Sequence, residues 1–215
     1  MYPARASKRL VWKITVIGLL GLVASPFVSA ASPELVVGST LENLQAAFNG
    51  ESNAHARYLT FAKKAEEEGY APVASLFRAA AKAEEIHAAN HKKVIEAMGG
   101  TAEATIETPE VKTTAENLAA AIAGESYERD IMYVEFLKVA KSDRNRDAIR
   151  TLNFAKTAEA EHAKMYQSAL DNLESWKGDA KTFFVCTVCG YTTTDPSFEK
   201  CPSCFSPQEK FIKVS

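Results

Sequence analysis

Cysteine is missing from most of the chain: all four lie between Cys186 and Cys204. That excludes a disulfide framework tying the whole chain together. It confines thiol chemistry to one short unit, whose spacing reads as metal before disulfide. An excess of charge of either sign is also missing. Lys and Arg total 25 against 27 Asp and Glu, a formal net charge of −2. No basic stripe with interleaved aromatics occurs either, so nothing favours a nucleic-acid partner. What remains is an ordinary globular balance, 47% hydrophobic and 24% charged in 215 residues, enough for one good core plus a small module.

The first 30 residues read as an export signal rather than as part of the fold. Arg5, Lys8, Arg9 and Lys13 form a basic start, Ile14–Ala24 is an apolar run, and Pro26 and Val28-Ser29-Ala30-Ala31 supply a cleavage region. Ser7-Lys8-Arg9-Leu10-Val11-Trp12-Lys13 resembles a twin-arginine signal with lysine in the first arginine position; general secretion is the alternative. The expected destination is the periplasm, with cleavage near Ala30. The rival is an uncleaved membrane anchor, for which the run is short against a span of about 20 residues.

Residues 31–178 are expected to form a helical domain and residues 179–215 a small C-terminal domain. Ser39-x-x-Glu42 reads as a capping box, and Leu41, Leu44, Phe48, Ala54, Tyr58 and Phe61 recur at helical spacing. The first helix should stop near Gly69 and the second run from Pro72 to Met98. A third should start at Thr113-x-x-Glu116 and end near Lys141, and a fourth, capped by Asp143, should reach about Trp176. The first and third connections are short enough for antiparallel hairpins, while Gly99 to Lys112 could cross the bundle's length. Two hairpins joined by one long crossover make a mainly α, ferritin-like four-helix bundle.

The hairpins repeat one another. Gly50-Glu51-Ser52 returns as Gly124-Glu125-Ser126, and Ala83-Glu84-Glu85-Ile86-His87 returns as Ala158-Glu159-Ala160-Glu161-His162. Each repeated glutamate lies on an apolar stripe: Glu84 with Phe77, Ala80 and Ala81, Glu159 with Ala155 and Met165, Glu125 with Leu118 and Ile122, Glu51 with Leu44 and Phe48. Burying one unpaired carboxylate costs several kcal/mol or forces it to hold a proton. Several in one core make sense only with a compensating cation, and two iron or manganese ions suit oxygen and imidazole ligands. A lone Glu-x-x-His is usually a solvated pair. Two at repeat spacing, each matched with a second glutamate-bearing helix, match the general description of dinuclear carboxylate bundles. The ligand set is then Glu51, Glu84, His87, Glu125, Glu159 and His162. Glu128, one turn after Glu125, is a further carboxylate unless it is a surface residue beside a Glu125–Arg129 pair. His55 and His91 read as groups behind the ligands or at the surface.

Cys186-x-x-Cys189 and Cys201-x-x-Cys204, with 11 residues between them, specify a four-thiolate metal site. Spacing does not choose iron from zinc, and zinc is the commoner structural occupant.

These residues together resemble the rubrerythrin family, over about Leu41 to Val214. The resemblance implies two irons in the bundle, with manganese or mixed metal as variants, and one iron on the cysteines of a rubredoxin-like domain. It implies Glu84 and Glu159 as bridges, Glu51 and Glu125 as terminal ligands, His162 on one iron, and His87 and Glu128 exchanging on the other. Tyr58 and Tyr133 would hydrogen-bond near the irons. It implies a peroxidase reducing hydrogen peroxide to water under oxidative stress. Electrons would come from a redox donor that the sequence does not name. It also implies a homodimer in which one subunit's cysteine iron nears the other's di-iron site. Alternatives are an iron-oxidising, iron-handling protein and an electron-transfer protein with a structural bundle. Two departures stand out: Phe205 occupies a position where the family usually has glycine, and the export signal is unusual.

Overall fold

The computed structural model describes residues 35–215; the expected export signal over residues 1–30 lies outside the described residues. Among the described residues no helix is long and apolar enough to cross a membrane.

Helix α1 (Thr40–Glu67) opens on the expected capping box. The Ser39 hydroxyl accepts the Glu42 N–H at 3.4 Å, and the Glu42 carboxylate accepts the Ser39 N–H at 2.8 Å. Gly69, at φ +82°, turns the chain into α2 (Ala71–Ala97), which begins with proline in its first turn. The crossover, residues 98–113, forms no helix or strand and runs along α1. There Asn53 donates to the Thr105 carbonyl at 2.9 Å, and the N–H groups of Thr105 and Glu107 donate to the side chains of Asn49 and Asn53, both at 2.9 Å. Two asparagines one turn apart thus pin the segment that must span the bundle.

The third bundle helix is not one α-helix. After α3 (Thr114–Tyr127) a π turn occupies Glu128–Met132, and α4 (Tyr133–Ser142) follows. The cause is a mismatch between the repeats. Tyr58 follows Glu51 by seven residues, but Tyr133 follows Glu125 by eight, and the wider turn absorbs the extra residue while both side chains still face inward. Helix α5 (Arg146–Asp171) is capped by Asn145, whose side chain accepts the Ala148 N–H at 3.0 Å. Asp143, expected in that role, instead ends α4 and accepts the Thr40 hydroxyl at 2.7 Å. The helix also stops earlier than expected, and Leu173–Trp176 is a separate 3-10 turn.

Two apolar clusters flank the glutamate layer. One gathers Phe61, Phe77, Leu76, Leu118 and Tyr166; the other gathers Leu44, Ile95, Phe136 and Leu152. The C-terminal domain is a three-stranded antiparallel sheet, order β2-β1-β3, with β1 at Phe183–Cys186, β2 at Thr192–Thr193 and β3 at Phe211–Val214. Alternation along β1 sends Phe183 and Val185 into the first bundle cluster. Fully burying such side chains is worth roughly 1.5–3 kcal/mol each, so the small domain is held firmly on its bundle.

Candidate metal centres

Each bundle helix places one glutamate at the level between the two apolar clusters. Glu51, Glu84, Glu125, Glu159, His87 and His162 are all buried to 1% exposure or less. They form two overlapping sets, Glu51–Glu84–His87–Glu159 and Glu84–Glu125–Glu159–His162, with ligand atoms in each set within 4.8 Å of one another. Glu84 and Glu159 belong to both.

The sets mirror one another as the repeat requires. His87 Nδ1 lies 2.9 Å from Glu84, 3.2 Å from Glu159 and 3.7 Å from Glu51. His162 Nδ1 lies 3.0 Å from Glu159, 3.3 Å from Glu84 and 3.6 Å from Glu125. The tyrosines cross between hairpins: Tyr58 donates to Glu125 Oε1 at 2.6 Å, and Tyr133 donates to Glu51 Oε1.

The protein alone leaves this layer unsatisfied. Glu51 Oε2, Glu84 Oε1, Glu125 Oε2 and both Glu159 oxygens are buried without a hydrogen-bond partner. Burial and the charges of Glu51 and Glu125 push the Glu84 carboxyl up to about 7. Burial and neighbouring carboxylates raise Glu159 and Glu128 as well. Burial also works against charge on His87 and His162, yet the surrounding carboxylates win and raise both. Without metal the layer must hold protons; divalent cations would replace them, and the orphaned oxygens face where those cations would sit.

Glu128 stands beside the sets rather than in either. Its Oε1 lies 3.8 Å from where a Cβ on Gly50 would be, so the glycine leaves it room. Arg129 pairs with Asp130 and not with Glu125, which removes the surface-pair reading.

Sequence reasoning undervalued His91. It is fully buried, and burial holds its imidazole neutral, its affinity for protons being lowered. Its Nδ1 meets Thr151 Oγ1 at 2.9 Å and its Nε2 meets the Tyr133 hydroxyl at 3.3 Å. The available signal was its place one turn beyond His87 on the buried face. His55 is half-buried and bonds the Ala81 carbonyl at 2.7 Å, away from the cluster.

In the C-terminal domain the four sulfurs converge, with Cys186 Sγ 3.7 Å from Cys204 Sγ and Cys189 Sγ 3.6 Å from Cys201 Sγ. A tetrahedral metal at about 2.3 Å from each sulfur sets them roughly 3.8 Å apart, so the cradle fits one ion. Hydrogen bonding from Cys189 lowers the Cys186 thiol to about 5, while burial raises Cys201 to about 11. The thiols alone cannot all ionise together, whereas a bound cation would hold them as thiolates. Gly190 N–H donates to Cys186 O and Phe205 N–H to Cys201 O, both at 2.9 Å. Gly190 and Phe205 share the left-handed backbone, at φ +78° and +59°. Phe205 thus keeps the glycine geometry despite its side chain.

The two sites touch. His87 Nε2 lies 3.1 Å from the Cys189 carbonyl, and Asn90 donates to the Val188 carbonyl at 2.9 Å. His162 Nε2 lies 3.1 Å from Thr192 Oγ1, whose own proton goes to the Gly190 carbonyl at 3.0 Å. A carbonyl only accepts, so both histidines carry hydrogen on Nε2 and aim Nδ1 at the carboxylates, the nitrogen that a metal would take once it displaced the proton there. The resemblance puts this contact across a dimer; here it is made within one chain.

Fold and sites define a ferritin-like dinuclear carboxylate protein with an appended four-cysteine centre. Residues 42–170 match the family model Rubrerythrin and residues 184–212 match Rubrerythrin, rubredoxin-like domain. The chain belongs to the rubrerythrin family. It is 40% identical over 189 residues to nigerythrin of Nitratidesulfovibrio vulgaris, covering 87% of this chain and 93% of that protein. It is 36% identical over 174 residues to rubrerythrin-2 of Clostridium acetobutylicum, covering 80% and 95%. The structure of fully reduced, all-ferrous nigerythrin superposes with a TM-score of 0.78 at 37% identity, covering 94% of this chain and all of that one. A bacterioferritin from Desulfovibrio desulfuricans shares the fold, with a TM-score of 0.58 at 22% identity over 63% of this chain and 80% of that one. The bundle thus carries the residues of a di-iron carboxylate site, and the C-terminal domain those of a rubredoxin-like iron site.

Proposed function

We propose that this protein is a peroxidase that reduces hydrogen peroxide to water. The observation that carries the proposal is the 3.1 Å contact between His87 Nε2 and the Cys189 carbonyl, which joins the two metal sites through one hydrogen bond. Two irons held by the carboxylates and one held by the cysteines would supply the electrons that reduction of peroxide to water requires.

The residues divide the remaining work. Glu84 and Glu159 belong to both sets and would hold both metals; Glu51 with His87, and Glu125 with His162, would complete the two ends. Tyr58 and Tyr133 fix the terminal carboxylates and present hydroxyl protons to the cavity between them. Glu128, beside Gly50, would be a further carboxylate within reach of the metals, one that could stand in for His87 as a ligand. The cysteine domain excludes water from both histidines and holds their tautomers. Iron handling alone needs no such electron inlet. The donor is an extracytoplasmic one-electron carrier if residues 1–30 direct export, and a homodimer would repeat the same contact.

Anaerobic stopped-flow mixing of the reduced full chain with peroxide or with oxygen tests this. Much faster oxidation by peroxide is the expected result. Preference for oxygen with consumption of added Fe²⁺ would replace this reading with iron oxidation.

A further inference from the structure

On the peroxidase reading of the site, splitting peroxide into two waters takes up two protons as well as two electrons, and any route for those protons rests on that reading. The bridging carboxylates and both ligand histidines are sealed from solvent. Protons must therefore arrive through side chains. One line of hydrogen bonds leads outward from Glu51. Tyr133 donates to Glu51, His91 Nε2 lies 3.3 Å from the Tyr133 hydroxyl, and Thr151 Oγ1 lies 2.9 Å from His91 Nδ1. Thr151 in turn lines a surface cleft of about 320 Å³, whose walls include Lys93, Arg150, Val188 and Cys204.

The direction of every bond in this line is fixed. The Glu51 carboxylate offers only acceptor oxygens when it serves as a ligand, so Tyr133 donates to it. The Tyr133 oxygen then accepts from His91, which places hydrogen on Nε2. A neutral imidazole so protonated is bare at Nδ1 and accepts the Thr151 hydroxyl. All three donors point inward.

The internal repeat supplies a control. The position matching His91 in the second hairpin is Tyr166, and the position matching Thr151 in the first is Leu76. There the Tyr166 hydroxyl is buried without a partner, beside Tyr58, Phe77 and Leu76 in the apolar cluster. One tyrosine leads to a cleft and its mate leads to grease. A purely structural need at the metal layer would have been met alike on both sides.

We propose that Thr151, His91 and Tyr133 form an inward proton relay from the cleft to the di-iron cavity. Tyr133 turns its hydroxyl from Glu51 to a peroxide oxygen and gives up that proton as the O–O bond breaks. His91 passes its Nε2 proton to the Tyr133 oxygen, Thr151 passes its hydroxyl proton to His91 Nδ1, and cleft water reprotonates Thr151. One pass delivers one proton and leaves His91 with its hydrogen on Nδ1. Tyr58 gives the second proton, so that with two electrons from the reduced metal sites one peroxide becomes two waters. Exchange with solvent restores Tyr58 and the Nε2–H form of His91 before the next turnover. His91 and Thr151 are positioning and relay residues that act through Tyr133. The same cleft is walled by Cys204, so proton and electron entry share one face of the protein.

Two measurements on the full chain test the relay. In zinc-loaded protein, ¹⁵N-histidine NMR should find His91 protonated at Nε2, with its Nδ1 resonance moving to that of a bare ring nitrogen in Thr151→Val but not in Thr151→Ser. In iron-loaded protein, Thr151→Val and His91→Gln should lose at least about tenfold in peroxide turnover. The solvent deuterium isotope effect should grow, reduction of the cysteine iron should stay unchanged, and Thr151→Ser should restore the rate. A His91 protonated at Nδ1 overturns the relay even if a variant fails to fold. So does Thr151→Val turning over with the wild-type rate and isotope effect. Wild-type protein inert to peroxide would instead sink the peroxidase reading and the relay together, whereas active wild type with an unaffected Thr151→Val sinks the relay alone.

Discussion

Phe205 and Gly190 occupy matching positions after the second cysteine of each knuckle, and a side chain has opposite consequences at the two. Phe205 holds φ +59° with its ring 74% exposed, so no packing offsets the strain. Phe205→Gly should therefore stabilise the metal-loaded chain by about 0.5–1 kcal/mol, after glycine's larger unfolded-state entropy is set against the relieved strain. Denaturant unfolding measures this; a loss of stability would mean that the ring makes a contact it does not make here. At Gly190 an added Cβ would overlap the His87 ring. Gly190→Ala should cost roughly 1–3 kcal/mol and break the His87–Cys189 hydrogen bond. Unchanged unfolding together with an unchanged electron-transfer rate would refute that. The ligand residues were legible in the sequence because duplication marks them: a glutamate on an apolar stripe is an anomaly, and a repeated one is a pattern. His91 and Thr151 were not legible as a pair. Their meeting depends on which face of α5 opposes α2, and no spacing along one helix encodes that.

Among the elements, the π turn at Glu128–Met132 makes a sharper claim than the regular helices do. Deleting Ile131, which is exposed, should turn it into ordinary α-helix and restore the seven-residue spacing found in α1, leaving the bundle folded with Tyr133 still facing Glu51. Deleting Ala56 from α1 should instead rotate Tyr58 by about 100° off the cluster, since each residue turns an α-helix by that angle. Circular-dichroism melts and bundle iron content compare the two; equal damage from both deletions would show that the extra residue is not what the π turn absorbs. Helix ends marked by capping boxes and glycines were readable to within a residue or two. The start of α5 was misassigned because Asp143 and Asn145 both qualify as caps by chemistry. Only the packing of α1 against that loop, through Thr40, decides between them.

For the molecule as a whole, metal and protons compete for one buried layer. The proton affinities of Glu84, Glu128, Glu159, His87 and His162 are raised in the folded, metal-free chain. The folded state then binds more protons than the unfolded state, so stability falls as pH rises through that window. Metal-free protein should thus melt at lower temperature at pH 8 than at pH 5.5, above the ordinary carboxylate range and on either side of the value of about 7 for Glu84. Metal loading should release protons and tighten with rising pH, reversing the trend in the loaded form. Calorimetric melts of both forms check the crossing; a metal-free melt that rises with pH would contradict it. The bundle, the crossover and the knuckles were foreseeable from periodicity and spacing. The docking of the cysteine domain onto both ligand histidines was not, because Phe183 and Val185 read only as strand residues until the surface that buries them is known.

The central claim is that four carboxylates share a sealed core because two irons neutralise them, with a third iron on the cysteines. Mössbauer spectroscopy of the anaerobically reduced, ⁵⁷Fe-loaded full chain tests it most directly. The two overlapping carboxylate–histidine sets and the single cysteine set predict oxygen- and nitrogen-ligated ferrous iron and sulfur-ligated ferrous iron in a ratio of two to one. A spectrum holding the sulfur-ligated signal alone, from folded protein, would contradict the account.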